Sequence, residues 1–488
     1  MDYEVIICFE THVELNTRTK LFCDCATSLD APPNTRICPV CTGQPGALPV
    51  LNKKAVELAV RAGLALDCTI HQKSRFARKN YFYPDLPKGY QISQYERPFC
   101  EDGRLEITGD DGRPYAVGIK RIHLEEDAGK LVHEGGSFET SKHSLVDFNR
   151  ACMPLLEIVA DHTRNPLRSP NEARAYLEKL IQILRFISVS DCLIEKGQFR
   201  CDVNVSLRPR GGRSFGNRAE IKNMASIRFI EQALEYEIKR QAEILSSGGE
   251  VDQETRLFVE DKRITLPMRS KEDAPDYRYF PDPDLMEVDL DPSWIHEIRT
   301  SMPELPDHKR RRLMSEFQIP RQEALVLTRD PKVSVFFERC ALLCDDHKRL
   351  GRWITRDLFR LLKEGGTSME DCPIGAEDFS RLIDMVSKGH ITDHLAALVL
   401  EEMFKTGRDA AAIIEAQNLR PIEDENALND VLEEVFSENP GVVSKIRDGE
   451  ARPVGFLIGQ VMKKSEGRAD PKKVKDLILK KLMKADAP

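Results

Sequence analysis

A change in hydrophobic periodicity near Trp294 divides this chain into two kinds of material. Before it, apolar residues recur at every second position in Val5-Ile6-Ile7-Cys8-Phe9, Tyr115–Arg121, Phe199–Leu207 and Arg218–Lys222, the period of half-buried strands. After it, residues 294–408 are almost wholly helical in pattern, as in Arg352–Leu362 and Ile391–Phe404. A chain of 488 residues is too long for one core. The expected fold class is therefore α+β, with a sheet-bearing domain over 1–292, an all-α domain over 293–410 and a small helical tail over 411–488. Gln417–Asp424, which holds Pro421 and several polar or acidic residues, reads as a linker.

Helices also interrupt the sheet-rich part. Ser169-Pro170-Asn171-Glu172 supplies an N-cap, a first-turn proline and a capping-box Glu ahead of Tyr176, Leu177, Leu180, Ile181, Leu184 and Ile187. A second helix is expected from Ile227 to Leu245, stopped by Ser246-Ser247-Gly248-Gly249, and a hairpin over Thr255–Val259 and Arg263–Met268. In the tail, helices are expected at Ala427–Phe436 and after Asp470-Pro471.

Four of the thirteen cysteines form two short pairs, Cys23-Asp24-Cys25 and Cys38-Pro39-Val40-Cys41, joined by a turn-forming stretch with Pro32 and Pro33. Two thiolate pairs on one loop supply the four ligands of a tetrahedral Zn²⁺, with no position left for water, so the site would be structural and would staple a knob of about residues 21–45. Unrelated thiols or disulfides are the competing account. The other nine cysteines are scattered, several in apolar runs, as reduced cytosolic cysteines are. The N-terminus lacks a basic leader, and no stretch approaches bilayer length, so a cytoplasmic location without membrane contact is expected.

The net charge of −8 is unevenly spread: residues 451–488 hold ten basic against four acidic side chains. Such a tail suits a phosphate backbone, and an ordinary solvated lysine-rich face accounts for it equally.

The first strand continues into Glu10-Thr11-His12-Val13-Glu14, and period-2 geometry puts Glu10, His12 and Glu14 on one face. Further acids stand in His123-Leu124-Glu125-Glu126-Asp127, in Glu157 within Leu155-Leu156-Glu157-Ile158-Val159, and in Asp202 and Glu220, interleaved with Arg200, Asn204 and Lys222. Carboxylates among apolar neighbours are costly unless a positive charge meets them. Carboxylates with one imidazole and no thiolate suit Mg²⁺ or Mn²⁺, and the interleaved cations suit a nucleoside triphosphate. Surface-facing polar positions on a one-sided sheet are the alternative.

Two motifs mislead. Gly212-Arg213-Ser214-Phe215-Gly216 matches G-x-S-x-G, but it lies between two strands and reads as a hairpin loop. Asp127-Ala128-Gly129-Lys130 lacks the upstream glycine and following hydroxyl of a P-loop. The stretch Arg78–Gln91, dense in Tyr, Lys and Asn, reads as a substrate-facing loop or as a loop packed on the core.

Taken together, Phe9–Leu15, Lys79–Gln94, Leu124–Lys130, Leu145–Arg150 with Pro154–Glu157, Arg200–Leu207 and Asp276–Pro281 resemble the B subunits of the bacterial tRNA-dependent amidotransferase family over essentially the whole chain. Cys8 and Cys152 depart from the pattern, standing where glycine, or glycine and serine, are usual. The resemblance implies a glutamine-synthetase-like cradle domain, a helical domain and a YqeY-like tail. It implies a ligase that forms carbon–nitrogen bonds with glutamine as amido donor. ATP and Mg²⁺ would phosphorylate the side-chain carboxylate of Glu-tRNA(Gln) or Asp-tRNA(Asn). Ammonia from a partner amidase A subunit would then give the amide, within a heterotrimer that includes a small C subunit.

By position, the resemblance carries the Mg²⁺ role to Glu10, His12 and Glu125, and further to Glu126, Glu157, Asp202 and Glu220. Lys79, Arg200 and Asn204 become substrate or phosphate contacts, and Lys463, Lys464, Lys472 and Lys473 tRNA contacts. No glutaminase nucleophile is recognisable, as expected if glutamine is hydrolysed elsewhere. Two rival readings are a non-catalytic tRNA-binding scaffold and a ligase that works on a free amino acid.

Overall fold

The computed structural model describes residues 3–28, 30–133, 143–212, 214–270, 276–419, 421–422, 424–450 and 452–482. It divides into two compact units, Met1–Leu305 and Pro306–Pro488.

The first unit is built on one nine-stranded sheet. In chain order its strands are β1 (Tyr3–Glu14), β2 (Thr69–Ile70), β3 (Cys100–Thr108), β4 (Pro114–Glu126), β5 (Pro154–Ala160), β6 (Phe199–Pro209), β7 (Ala219–Lys222), β8 (Glu254–Val259) and β9 (Ile264–Ser270). Their spatial order is β9-β8-β7-β6-β1-β5-β4-β3-β2. The ladder is antiparallel apart from the β7–β8 pair, so β1 lies in the middle with β5 and β6 on its flanks.

Alternation along β1 assigns its two faces. Ile7, Phe9 and Val13 are at most 1% exposed, and Phe9 stacks on Tyr176 with ring centroids 5.6 Å apart. That ring contact fastens the sheet to α2 (Pro170–Phe186), and truncating Phe9 to alanine would cost about 3–5 kcal/mol. Ser169 caps α2 by accepting from the Glu172 N–H at 3.1 Å, with Pro170 at the first position. α3 (Ile227–Ser246) begins in the same way, its Ser226 cap accepting from Phe229. The other face of β1 presents Ile6, Cys8, Glu10, His12 and Glu14, and opens into a cavity.

Two elements differ from the sequence expectation. The strand expected at Tyr115–Arg121 runs on to Glu126, because His123, Glu125 and Glu126 are buried against polar partners and break the apolar pattern without ending the ladder. α1 (Lys53–Ala65), capped by Asn52 through Lys54 and Ala55, is not among the expected helices. α4 (Pro292–Thr300) packs on the first unit through Trp294, Ile295 and Ile298.

The second unit is helical and contains two apolar cores, one over residues 313–414 and one over residues 428–482. The helix expected at Arg352–Leu362 lies inside a longer helical run, His347–Trp353 and Phe359–Gly365 with a π-turn at Ile354–Leu358 between them. Glu425–Glu438 and Pro471–Leu482 take up the expected tail helices.

Candidate functional site

Antiparallel register sets the cavity floor. His12 stands opposite Arg200 on β6 and Glu157 on β5, and Glu157 stands opposite His123 on β4. One row across four strands therefore reads Arg200, His12, Glu157, His123. In the next row Glu10 faces Asp202, and in the row after that Asn204 stands between Cys8 and Glu220 on β7. Period-2 geometry keeps these side chains on the face away from α2. All of them but Asn204 line a cavity of about 780 Å³ together with Glu125, Lys79 and Lys222.

Ligand atoms of His12, Glu125 and Glu157 all lie within 4.8 Å of one another. His12 Nε2 is 3.6 Å from a carboxylate oxygen of each acid, while His123 Nε2 is 3.1 Å from Glu157 and 3.8 Å from Glu125. Burial disfavours a charge on any of these groups, yet their mutual attraction is stronger. Burial acts against a charged His12, but the hydrogen bond and charge of Glu157, with Glu125 and Asp202, push it up to about 9. His123 moves upward for the same reason, against burial. Glu157, also against burial, is held well below the usual carboxylate range by the two imidazoles. Glu10 behaves differently: burial, then the charges of Glu157, Glu220 and Asp202, raise it. The floor is thus a desolvated cluster in which two carboxylates are met by two imidazoles, with the raised carboxyl of Glu10 beside it.

Lys79 is the cation above that floor. It stands on a short strand, Ala77–Asn80, that pairs with Tyr90–Ser93 and with Phe280–Pro281 as a side wall. Its ammonium lies 4.8 Å from the Tyr277 ring and 5.9 Å from that of Tyr81. Burial works against its charge, but Glu125 and then the tyrosines and Glu157 raise its pKa. Among the described residues it has no ion pair, which leaves it able to meet an anion.

The remaining expected site residues divide. Glu157, Asp202 and Glu220 line the cavity, but Lys222 Nζ lies 2.7 Å from Asp202 and 3.3 Å from Glu220, so those two acids already hold a cation. Arg200 lines it as well, pinned to buried Asp127 at 2.7 Å. Glu126 is not brought to the floor. Adjacent to Glu125, it points to the opposite face, where both its oxygens take Lys88 and one accepts from the Ile92 N–H at 2.8 Å. Asn204 donates to Glu10 at 3.3 Å and faces a smaller neighbouring annex. His123, Asp127, Tyr277 and Tyr279 complete the walls without an individual role from the sequence, and Lys222, expected as an interleaved cation for a triphosphate, is instead paired with the two acids. For His123 the signal is present, since it shares parity with Glu125.

At the knob, the four sulfurs of Cys23, Cys25, Cys38 and Cys41 lie within 4.8 Å of one another. Cys38 and Cys41 are 3.9 Å apart, against about 3.8 Å for the edge of a tetrahedron with metal–sulfur bonds near 2.3 Å. The cluster can hold a metal. All thirteen cysteines are free thiols, so the disulfide alternative does not apply. In the tail, Lys464 is 2.6 Å from both Glu434 and Glu438, whereas Lys463, Lys472 and Lys473 are exposed. The G-x-S-x-G stretch joins antiparallel β6 and β7 as a loop, with Arg213 outside the described residues. No helix among the described residues is long and apolar enough to cross a membrane.

Residues 5–296 match the model of the GatB/GatE catalytic domain, and residues 335–482 that of the GatB domain. The chain is similar over nearly its full length to proteins named as the B subunit of aspartyl/glutamyl-tRNA(Asn/Gln) amidotransferase. The one from Thermodesulfovibrio yellowstonii is 49% identical, over 98% of this chain and 99% of the relative. Those from Carboxydothermus hydrogenoformans and a Geobacter species are 46% and 48% identical, each over 99% of this chain and 99% and 100% of the relative.

Proposed function

Because the chain belongs to the family of B subunits of aspartyl/glutamyl-tRNA(Asn/Gln) amidotransferase, we propose that its sheet cavity phosphorylates the side-chain carboxylate of a misacylated tRNA, at the expense of ATP. The activated acyl group is then amidated with ammonia that a partner amidase A subunit releases from glutamine, in a complex completed by a small C subunit.

The observation that carries this reading is the convergence of His12, Glu125 and Glu157 within 4.8 Å on the floor of a cavity overhung by Lys79. One buried and one partly buried carboxylate with an imidazole make an oxygen-rich donor set that fits Mg²⁺ and suits zinc poorly. Glu125, Glu157 and His12 would hold the ion, with Glu10 beside them; Asp202 and Glu220 are committed to Lys222 and would orient the set. The chemistry supplied by a bound Mg²⁺ would be the neutralisation of negative charge at the phosphoryl group being transferred. Lys79, desolvated and cationic, would draw the anionic carboxylate or the γ-phosphate toward the floor. Arg200 would hold Asp127 in place and Asn204 would hold Glu10, which makes both positioning residues. The tyrosine wall, Tyr81, Tyr277 and Tyr279, would shed water from the reacting end of the tRNA. The four-cysteine knob would carry structural Zn²⁺, and the basic tail of residues 411–488, through Lys463, Lys472 and Lys473, would hold the tRNA body.

The test is Glu125→Gln in the assembled complex with mischarged tRNA. The expected result is loss of tRNA-dependent ATP hydrolysis and amide formation by at least roughly 100-fold, with glutamine hydrolysis by the partner retained. Full ATP hydrolysis in this variant would favour the scaffold reading. Activity without tRNA would favour a ligase for free amino acids.

A further inference from the structure

Lys20 is fully buried and has no carboxylate to balance it. Among the described residues its ammonium donates only to the Phe148 carbonyl oxygen, at 3.2 Å. Other lysines of low exposure are matched: Lys309, 9% exposed, takes Glu338 at 2.8 Å, and Lys88 is gripped by Glu126. An ammonium withdrawn from water is costly unless negative charge meets it.

The backbone holds Lys20 at the base of the cysteine knob. Thr19 bridges Ala26, and the Lys20 N–H donates to the Cys25 carbonyl at 2.9 Å, so Lys20 closes the turn that carries Cys23 and Cys25. Its side-chain partner belongs to a segment latched onto the loop between the two cysteine pairs. There the Phe148 N–H donates to Asn34 Oδ1 at 2.8 Å, and Asn149 Oδ1 accepts from the Arg36 N–H at 2.8 Å. The ammonium is thereby fixed under the knob.

The four cysteines are not equivalent. Cys23, Cys25 and Cys38 are partly exposed, whereas Cys41 is 1% exposed. The Cys41 sulfur accepts from the Cys38 N–H at 3.1 Å. Contact with Cys23 and burial push the Cys41 thiol up to about 12, and the charge of Lys20 draws it down. Four thiolates around one Zn²⁺ leave two negative charges in excess. Water can offset charge on the three partly exposed cysteines; Cys41 needs an internal cation.

We propose that Lys20 is the internal counter-ion of the knob's metal centre, balancing the buried Cys41 thiolate. This rests on the reading of the knob as a zinc site. Lys20 touches no substrate and acts on the metal through the thiolates, so it positions and retains the ion.

Charge and packing are separated by substitution in the full chain within the assembled complex. Lys20→Gln keeps a donor for the Phe148 carbonyl and removes the charge; Lys20→Arg keeps both. In competition with a chromophoric chelator, Lys20→Gln is expected to bind Zn²⁺ roughly tenfold more weakly or worse, and Lys20→Arg to stay within about threefold of wild type. With Co²⁺ in place of Zn²⁺, the thiolate-to-metal charge-transfer band of Lys20→Gln should move to lower energy, because its thiolates lose a stabilising positive charge. The band is read on assembled protein, so a reduced yield leaves the result intact. Wild-type zinc affinity and an unshifted band in Lys20→Gln overturn the proposal, as does a loss of zinc in Lys20→Arg equal to that in Lys20→Gln. If the wild-type complex binds neither Zn²⁺ nor Co²⁺ at the knob, the zinc reading itself fails; a metal-bearing knob indifferent to Lys20→Gln removes only the counter-ion.

Discussion

Glu14 shows how a single carboxyl can report on a buried site. It is 5% exposed, and burial, with the nearby charge of Asp127, pushes it up to about 7 despite Arg200 and Arg150. Its ordinary value is 4.5. Between those two pH values the folded state holds a proton that the unfolded state has released. Stability from this group therefore falls as pH rises from 4.5 to 7, and stays low above. Glu14→Gln is expected to melt a few degrees above the wild type at about pH 8, with the gap closing toward about pH 4.5; thermal melts across that range check it. At this scale the sequence is informative wherever chemistry clashes with its surroundings, as at Glu10 and at Glu157 inside an apolar run. It is silent where the partner is distant. Nothing near Glu126 in the chain announces Lys88, and nothing near Asp127 announces Arg200.

For an extended strand, parity decides everything. Glu125 and Glu126 look alike as neighbours in the chain, but β4 sends one to the cavity and the other to Lys88. Only the register Leu155↔Glu125 and Glu157↔His123 tells which is which. Helices with strong caps, such as α2 and α3, are legible because their start signals are local. In the helical unit, Gly467 joins two elements. Its φ is +76°, its carbonyl accepts from Thr392 Oγ1 at 2.8 Å, and a Cβ there would come within 2.0 Å of the His394 ring. Thr392 also caps the helix Asp393–Thr406. Gly467→Ala is expected to cost on the order of 2 kcal/mol or more and to loosen the contact between the two helical cores. Hydrogen exchange at the start of Asp393–Thr406 should rise if so.

At the scale of the molecule, an acidic protein of net charge −8 ends in a basic stretch. Pairing modifies that simple picture. Lys464 is already balanced by two glutamates, while Lys472 and Lys473 stand exposed near the start of Pro471–Leu482. Lys472→Glu with Lys473→Glu is expected to weaken tRNA binding by the complex and to flatten its salt dependence by about two in slope. Lys464→Ala should change both less. Binding isotherms at several salt concentrations distinguish them. Composition reveals the charge asymmetry; which lysines are spoken for requires the packing of Glu425–Glu438.

One peptide links the cysteine knob to the chemistry. Cys152 has a φ of +67°, its N–H donates to the Asp127 carbonyl at 2.9 Å, and its own carbonyl accepts from Leu21 at 2.9 Å, two residues before Cys23. Asp127 in turn grips Arg200. Stripping metal from the knob with a chelator is therefore expected to lower tRNA-dependent ATP turnover as well as the melting temperature, although none of the four knob cysteines lines the cavity of His12 and Glu125. The knob serves as the tuning peg of a taut string: slacken it, and the arginine at the far end drifts out of pitch.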